Sequence, residues 1–138
     1  MKILTASFGL ALALSAAAPT LASADAPAGK VREAFDRPIP NIPGKSVIAV
    51  VVEYPPGGKT PAHHHPASAF VNAYVLSGAI RCQVDGGMVR VYHTGESWSE
   101  EPGAHHQISE NASETRPARL LAFFVVDSTD KELVTLDR

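Results

Sequence analysis

The chain has 138 residues, of which 45% are hydrophobic and 19% charged, a composition typical of one globular domain rather than a disordered polymer. Lys and Arg number 12 and Asp and Glu 14, so the formal net charge is −2. No segment concentrates basic side chains into a stripe that would neutralise successive phosphates, and we therefore expect no nucleic-acid partner.

The first 24 residues have the pattern of an export signal. Lys2 supplies a positive start, residues 3–18 are almost wholly apolar, and Ala22-Ser23-Ala24 fits a small-x-small cleavage site. The apolar run is shorter than the roughly 20 residues of a membrane-spanning helix, so an uncleaved anchor is the less favoured alternative. We predict a signal peptide over residues 1–24, a periplasmic or secreted mature protein, and no membrane association.

A Pro-rich arm is predicted over residues 25–45. Four prolines prevent a continuous helix here, which favours a tail or an edge strand, with a short helical turn near residues 31–35 as the one helical alternative.

The remainder, residues 46–138, is predicted to be one β-domain. Runs rich in β-branched and aromatic residues alternate with turns at Gly78, Gly86, Gly95 and Gly103, a spacing that leaves no room for crossover helices. An all-β chain of this size closes its sheet edges as a barrel or jelly roll. The predicted strands are Ser46–Tyr54, Phe70–Leu76, Ala79–Val84, Met88–Tyr92, His105–Ser109 and Arg119–Val126.

Cys82 is the only cysteine, which excludes an internal disulfide. It lies in the apolar alternation Ile80, Cys82, Val84, a pattern typical of a small buried side chain, and a thiolate nucleophile is the less favoured interpretation.

Five of the six histidines form two clusters, His63-His64-His65 and His105-His106. Because alternate side chains of a strand share a face, His63 and His65 point the same way and His64 points oppositely. A third imidazole from His105 or His106 would complete a set of nitrogens for a divalent metal. The alternative is a solvated His-rich loop or a set of buried histidines bonded to the backbone.

Two motifs surround these clusters. The first consists of Gly57, His63-His64-His65 and Gly78, and the second of Gly95, Glu101-Pro102-Gly103, His106 and Asn111. Their joint spacing resembles that of the cupin superfamily, whose members are small jelly-roll barrels. The resemblance implies a single-domain cupin-type β-barrel with metal ligands His63, His65 and His106, and it favours His106 over His105.

One departure concerns the glutamate that the first motif places after its histidines. Ala69, Phe70 or Val71 stands there, and none of them can bind a metal. The sequence therefore predicts a site of three neutral imidazoles, with no acidic side chain beside them. Glu53 or Gln83 is a candidate to approach the site, with Glu53 kept as an outer-sphere residue, whereas Glu100 and Glu101 are expected to be charges at the rim.

Three-histidine sites of this kind resemble those of cupin dioxygenases. We therefore expect a metal-dependent oxidoreductase that binds Fe²⁺, or else Mn²⁺, Zn²⁺, Ni²⁺ or Cu²⁺, and acts on a small chelating organic substrate. Tyr74 and Trp98 are candidates to line its pocket, although core packing is the more common fate of such residues. The alternative function is a non-catalytic metal or small-ligand binder, and a homodimer is the expected assembly.

Overall fold

A computed structural model describes residues 26–138, and this part of the chain contains strands and turns but no helix. All-β architecture is therefore confirmed. The strands are β1 (Lys30–Pro38), β2 (Lys45–Tyr54), β3 (Lys59–Thr60), β4 (His63–His64), β5 (Phe70–Ser77), β6 (Ala79–Val84), β7 (Arg90–His93), β8 (Ser97–Glu100), β9 (His105–Asn111), β10 (Ala118–Asp127) and β11 (Thr135–Leu136).

Two antiparallel sheets face each other. One has the strand order β1-β2-β10-β5-β8, and the other has the order β11-β4-β9-β6-β7, with β3 also paired to β9. Apart from the β1-β2 and β6-β7 pairs, neighbouring strands in each sheet are not consecutive in the chain, as a jelly roll requires. The first sheet supplies most of the apolar interior and the second supplies the histidines.

Alternation of buried and more exposed residues along the strands shows which side chains form the hydrophobic core. Along β10 the residues at positions 118, 120, 122, 124 and 126 are buried and their neighbours are not. Such period-2 burial is what a strand with one face on the interior shows. The interior of the barrel is built from these residues together with Ile48, Val50 and Val52 of β2 and Val71 and Val75 of β5.

The predicted strands are all present, with ends that differ by one or two residues. Residues 30–38 form an edge strand against β2, so the helical turn considered near residues 31–35 is wrong. The sequence did not identify β8 or the short strands β3, β4 and β11, because two to four residues give too little pattern to recognise.

The predicted signal peptide lies outside the described residues. Within residues 26–138, no helix is long and apolar enough to cross a membrane.

Candidate metal centre

The pairing of the short strand β4 with β9 brings the histidine clusters together. In the antiparallel pair of β4 and β9, His63 lies opposite His106 and His64 lies opposite His105. Because directly opposed residues share a face, one pair must point inward and the other outward. His63 and His106 are inward, and His65, just beyond β4, joins them. Their exposed fractions are 4%, 5% and 7% for His63, His106 and His65.

The three inward imidazoles converge. One ring nitrogen from each lies within 4.8 Å of the other two. The ring centroids of His63 and His65 are 4.9 Å apart, and those of His63 and His106 are 5.2 Å apart. The predicted ligand set, His63, His65 and His106, is thus a cluster in space.

Backbone carbonyls fix two of these rings. Nδ1 of His63 donates to the Pro61 carbonyl at 2.8 Å, and Nδ1 of His65 donates to the Leu133 carbonyl at 2.8 Å. A neutral imidazole that donates through Nδ1 keeps a lone pair at Nε2. In their neutral form both rings therefore carry the proton on Nδ1 and leave Nε2 free to bind a metal, as metal-binding histidines commonly do.

Glu100 supplies a carboxylate that the sequence prediction placed elsewhere. Its side chain is 2% exposed, and its Oε2 and Oε1 atoms lie 3.1 Å from His65 Nε2 and 3.3 Å from His106 Nδ1. The indole N–H of Trp98 donates to Oε1 at 2.9 Å. The expectation that Glu100 is a rim charge is wrong, because β8 alternates and turns Trp98 and Glu100 inward.

The contact between Glu100 and His65 is the observation that fits a metal. Oε2 of Glu100 is the one buried side-chain polar atom of the described residues without a hydrogen-bond partner. It lies 3.1 Å from Nε2 of His65, and in the neutral tautomer that donates through Nδ1 this nitrogen carries a lone pair that faces the carboxylate. A buried charge is ordinarily paired or bound to a metal. A cation between these atoms would satisfy both, so three imidazoles and one carboxylate suit a divalent ion.

Burial and charge act on the site in opposite directions. Burial lowers the pKa of His106 to about 4 and also lowers the pKa of His63, which keeps both rings neutral and able to bind a metal. Burial also disfavours the charged form of His65, but the Glu100 carboxylate favours it more strongly, so the pKa of His65 is raised overall. Burial likewise opposes ionisation of Glu100, but His65 and His106 outweigh it and the pKa of Glu100 is lowered. The carboxylate is thus ionised at neutral pH.

A cavity of about 150 Å³ adjoins the cluster inside the barrel. Its walls are mostly aliphatic and aromatic, and its polar end is formed by the three histidines and Glu100. The other lining residues are Val31, Val50, Val52, Tyr54, Thr60, Val71, Ala73, Trp98, Ser109, Leu120, Ala122, Phe124, Leu133 and Val134. Trp98 therefore lines the cavity, as considered from the sequence, whereas Tyr74 is 43% exposed and does not.

The remaining candidates lie away from this centre. His64 and His105 point outward, as the alternation predicted for His64. Glu53 is exposed and its Oε1 lies 3.4 Å from Nε of Arg119, so the prediction that it is an outer-sphere residue of the site is wrong. Gln83 donates to the carbonyl of Gly87 in its own hairpin and is equally unsuited.

Cys82 is buried, as its alternation predicted, and its Sγ lies 3.4 Å from Nε2 of His106. Burial, followed by the nearby charge of Glu100, raises the pKa of the thiol to about 12. The side chain therefore packs beside a histidine of the cluster as a protonated thiol.

Comparison with known proteins agrees with this geometry. Residues 50–124 match the family model described as the cupin domain. The chain belongs to the cupin family. No curated protein matches the chain in sequence.

Solved cupin structures share the fold. A conserved protein with a double-stranded β-helix domain from Klebsiella pneumoniae has a TM-score of 0.62 and 17% identity over 80% of this chain and 84% of its own. The DMSP lyase of Ruegeria pomeroyi has a TM-score of 0.54 and 23% identity over 65% of this chain and 42% of its own. An oxalate oxidase in complex with glycolate has a TM-score of 0.57 and 22% identity over 83% of this chain and 57% of its own.

Proposed function

We propose that this cupin is a metal-dependent oxidoreductase, similar to the cupin dioxygenases, that acts on a small chelating organic substrate. The observation that carries the proposal is the cluster of His63, His65 and His106 beside the buried, unpartnered Oε2 of Glu100, at the polar end of an apolar cavity. A histidine cluster on the barrel surface would not give a substrate such a shielded position.

The chain's own residues would hold the ion and shape its surroundings. His63, His65, His106 and Glu100 would hold a divalent metal, for which Fe²⁺ is our first choice. When bound, the metal would supply Lewis-acid and redox chemistry. The carbonyls of Pro61 and Leu133 hold two of the rings, and Trp98 orients the carboxylate. The apolar wall excludes water, which strengthens electrostatic interactions at the polar end.

The size of the cavity limits the substrate. A space of about 150 Å³ holds a molecule of roughly benzene size. A compact organic acid with two oxygen ligands fits this volume and could bind the metal. The oxalate oxidase and DMSP lyase relatives support this substrate class, but this chain spans only 57% and 42% of them.

A non-catalytic metal or small-ligand binder is the second candidate. Apart from the metal cluster, Tyr54 is the one side chain lining the cavity that has an ordinary proton-transfer group, and its hydroxyl already hydrogen-bonds with Thr60 and Ser109. Within the described part of the chain, the cavity therefore offers no free acid or base besides the residues of the metal cluster. This lack of a separate proton-transfer group is the observation that favours a binder.

The test begins with the metal content of the purified protein and of a His63→Gln variant. Oxygen consumption is then measured with the Fe²⁺-loaded protein on panels of small dicarboxylates, small diketones and small thiols. We expect turnover on one panel that is lost in His63→Gln and retained in His93→Gln, an exposed control, and a metal content that is lower by one ion per chain in His63→Gln than in the wild type or His93→Gln. Stoichiometric metal without turnover or oxygen uptake on any panel would favour the binder.

Export and assembly are further parts of the proposal. Support for export comes from the signal pattern of residues 1–24, and N-terminal sequencing of periplasmic protein should begin at Asp25. Support for a homodimer comes from β1, an edge strand whose residues are mostly exposed. Light scattering that gives a monomer mass would contradict the dimer.

A further inference from the structure

The outward pair of the same two strands forms a second cluster, on the opposite face of the sheet from the metal centre. The imidazoles of His64 and His105 are stacked, with centroids 4.1 Å apart and planes 10° apart. Their positions follow from the register, since residues directly opposite in an antiparallel pair have neighbouring side chains. The alternation that sends His63 and His106 inward therefore creates an outward pair as well.

Asp137, directly after β11, completes this cluster. Its Oδ2 lies 2.8 Å from Nε2 of His105, and its Oδ1 lies 3.8 Å from Nε2 of His64. The carboxylate is thus presented to the same nitrogen of both rings. One donor atom from each of the three residues lies within 4.8 Å of the other two.

The backbone holds this arrangement in place. β11 pairs with β4, with Thr135 opposite His64, and the amide of Asp137 donates to the Ala62 carbonyl at 3.0 Å. A cation would therefore meet ligands on three elements that are already assembled, which lowers the ordering cost of binding.

The surroundings of Asp137 differ from those of Asp36 and Asp127. Asp127 and Asp36 pair with Lys45 and Lys131. No lysine or arginine among residues 26–138 lies within ion-pair distance of Asp137, whose charged-group neighbours are the two histidines. A metal ion would not have to displace a competing ammonium or guanidinium group.

We propose that His64, His105 and Asp137 form a second, solvent-open site for a late first-row divalent ion such as Zn²⁺. Two imidazole nitrogens and a carboxylate are a ligand set that Zn²⁺ accepts, with water in the remaining position. The side chains of His64, His105 and Asp137 are 53%, 28% and 37% exposed, so an ion reaches them from solvent.

Occupation of this site would also stabilise the end of the barrel. Asp137 lies in the same C-terminal segment as Leu133. The Leu133 carbonyl accepts a hydrogen bond from His65, and Leu133 also lines the cavity. An ion bridging Asp137 to β4 and β9 would tie that segment to the strands that carry the inner ligands.

Isothermal titration of chelator-treated protein with Zn²⁺ tests the site. We expect two binding events for the wild type and one fewer for Asp137→Asn, which keeps the backbone bond to Ala62. Glu132→Gln, which removes an exposed carboxylate of the same segment, should behave as the wild type. His63→Gln should lose the inner event and keep the outer one, so failure of the inner centre is distinguishable from failure of this site.

Imidazole NMR gives a second readout. In the His63→Gln background, Zn²⁺ should shift the ring resonances of His64 and His105, and His64→Gln should weaken outer binding by about tenfold or more. Unchanged outer affinity in both Asp137→Asn and His64→Gln would overturn the proposal. So would a single event in the wild type that His63→Gln removes completely.

Discussion

Glu100 lies directly opposite Val71 in the antiparallel pair of β5 and β8. Val71 is one of the three positions at which the cupin resemblance predicts a metal-binding glutamate. Directly opposed side chains have Cβ atoms about 5 Å apart on the same face of the sheet. The carboxylate that is missing from β5 thus enters the site from the adjacent strand, held by the Trp98 indole N–H.

Replacing this carboxylate should weaken metal binding. Glu100→Gln keeps the size of the side chain and an oxygen acceptor for Trp98 but removes the charge that faces His65 and His106. We expect metal affinity to fall by about tenfold to a hundredfold. Competition with a chromophoric chelator measures the change, and circular dichroism verifies the fold.

Glu101→Gln is the matched control, because Glu101 is the next residue and is exposed. Its affinity should equal that of the wild type. An equal loss in both variants would show that general electrostatic attraction, rather than a specific carboxylate, accounts for the effect.

Metal should stabilise the folded state through the inner histidines. A ligand present at about 100 times its dissociation constant adds about 2.7 kcal/mol to the free energy of unfolding. In the presence of Fe²⁺ under anaerobic conditions, the melting temperature should rise for the wild type and for His93→Gln and fall again when a chelator is added. A similar rise in His63→Gln would place the stabilising ion elsewhere.

Tyr54 should make stability sensitive to alkaline pH. Burial raises the pKa of its hydroxyl above 10.0, and the bonds to Ser109 and Thr60 offset only part of this shift. The unfolded chain therefore releases this proton first as pH rises. The stabilising contribution of Tyr54 is present below about pH 10 and is lost as pH rises through the folded pKa.

Urea unfolding of Tyr54→Phe tests this contribution. At pH 8 the variant should be less stable by about 1–3 kcal/mol, because the Ser109 hydroxyl loses a buried partner. At pH 10.5 or above the deficit should shrink. A deficit of constant size across this range would contradict the raised pKa, and Tyr74→Phe, at an exposed tyrosine, is the control.

The thiol of Cys82 should be unreactive in the folded protein. The side chain is 4% exposed and its pKa is about 12, so thiolate is scarce at pH 8 and reagents have no access. Ellman's reagent should release no colour from native protein and one equivalent in concentrated urea. Rapid stoichiometric reaction of native protein would favour the nucleophile interpretation instead.

Much of the molecule could be predicted from local pattern. β-Branched runs and evenly spaced glycines predict the strands, and alternation around His64 separates inward from outward rings. The sequence does not identify Glu100 as a buried residue of the metal centre, because its burial depends on a four-residue strand. The pattern that could have indicated its burial is the alternation of small serines with Trp98 and Glu100 along this strand.

The sequence by itself determined the β-architecture and that His63 and His65 share a face, because the period of a strand is a local property of the chain, and the cupin resemblance selected His106 as their partner. Only the tertiary structure decided which carboxylates join them. Glu100 reaches the interior through a cross-strand register, and Asp137 reaches the outer histidines through a terminal strand that pairs with β4. These pairings depend on which strands lie side by side in the barrel. The spacing of residues along the chain does not specify the neighbours of a strand.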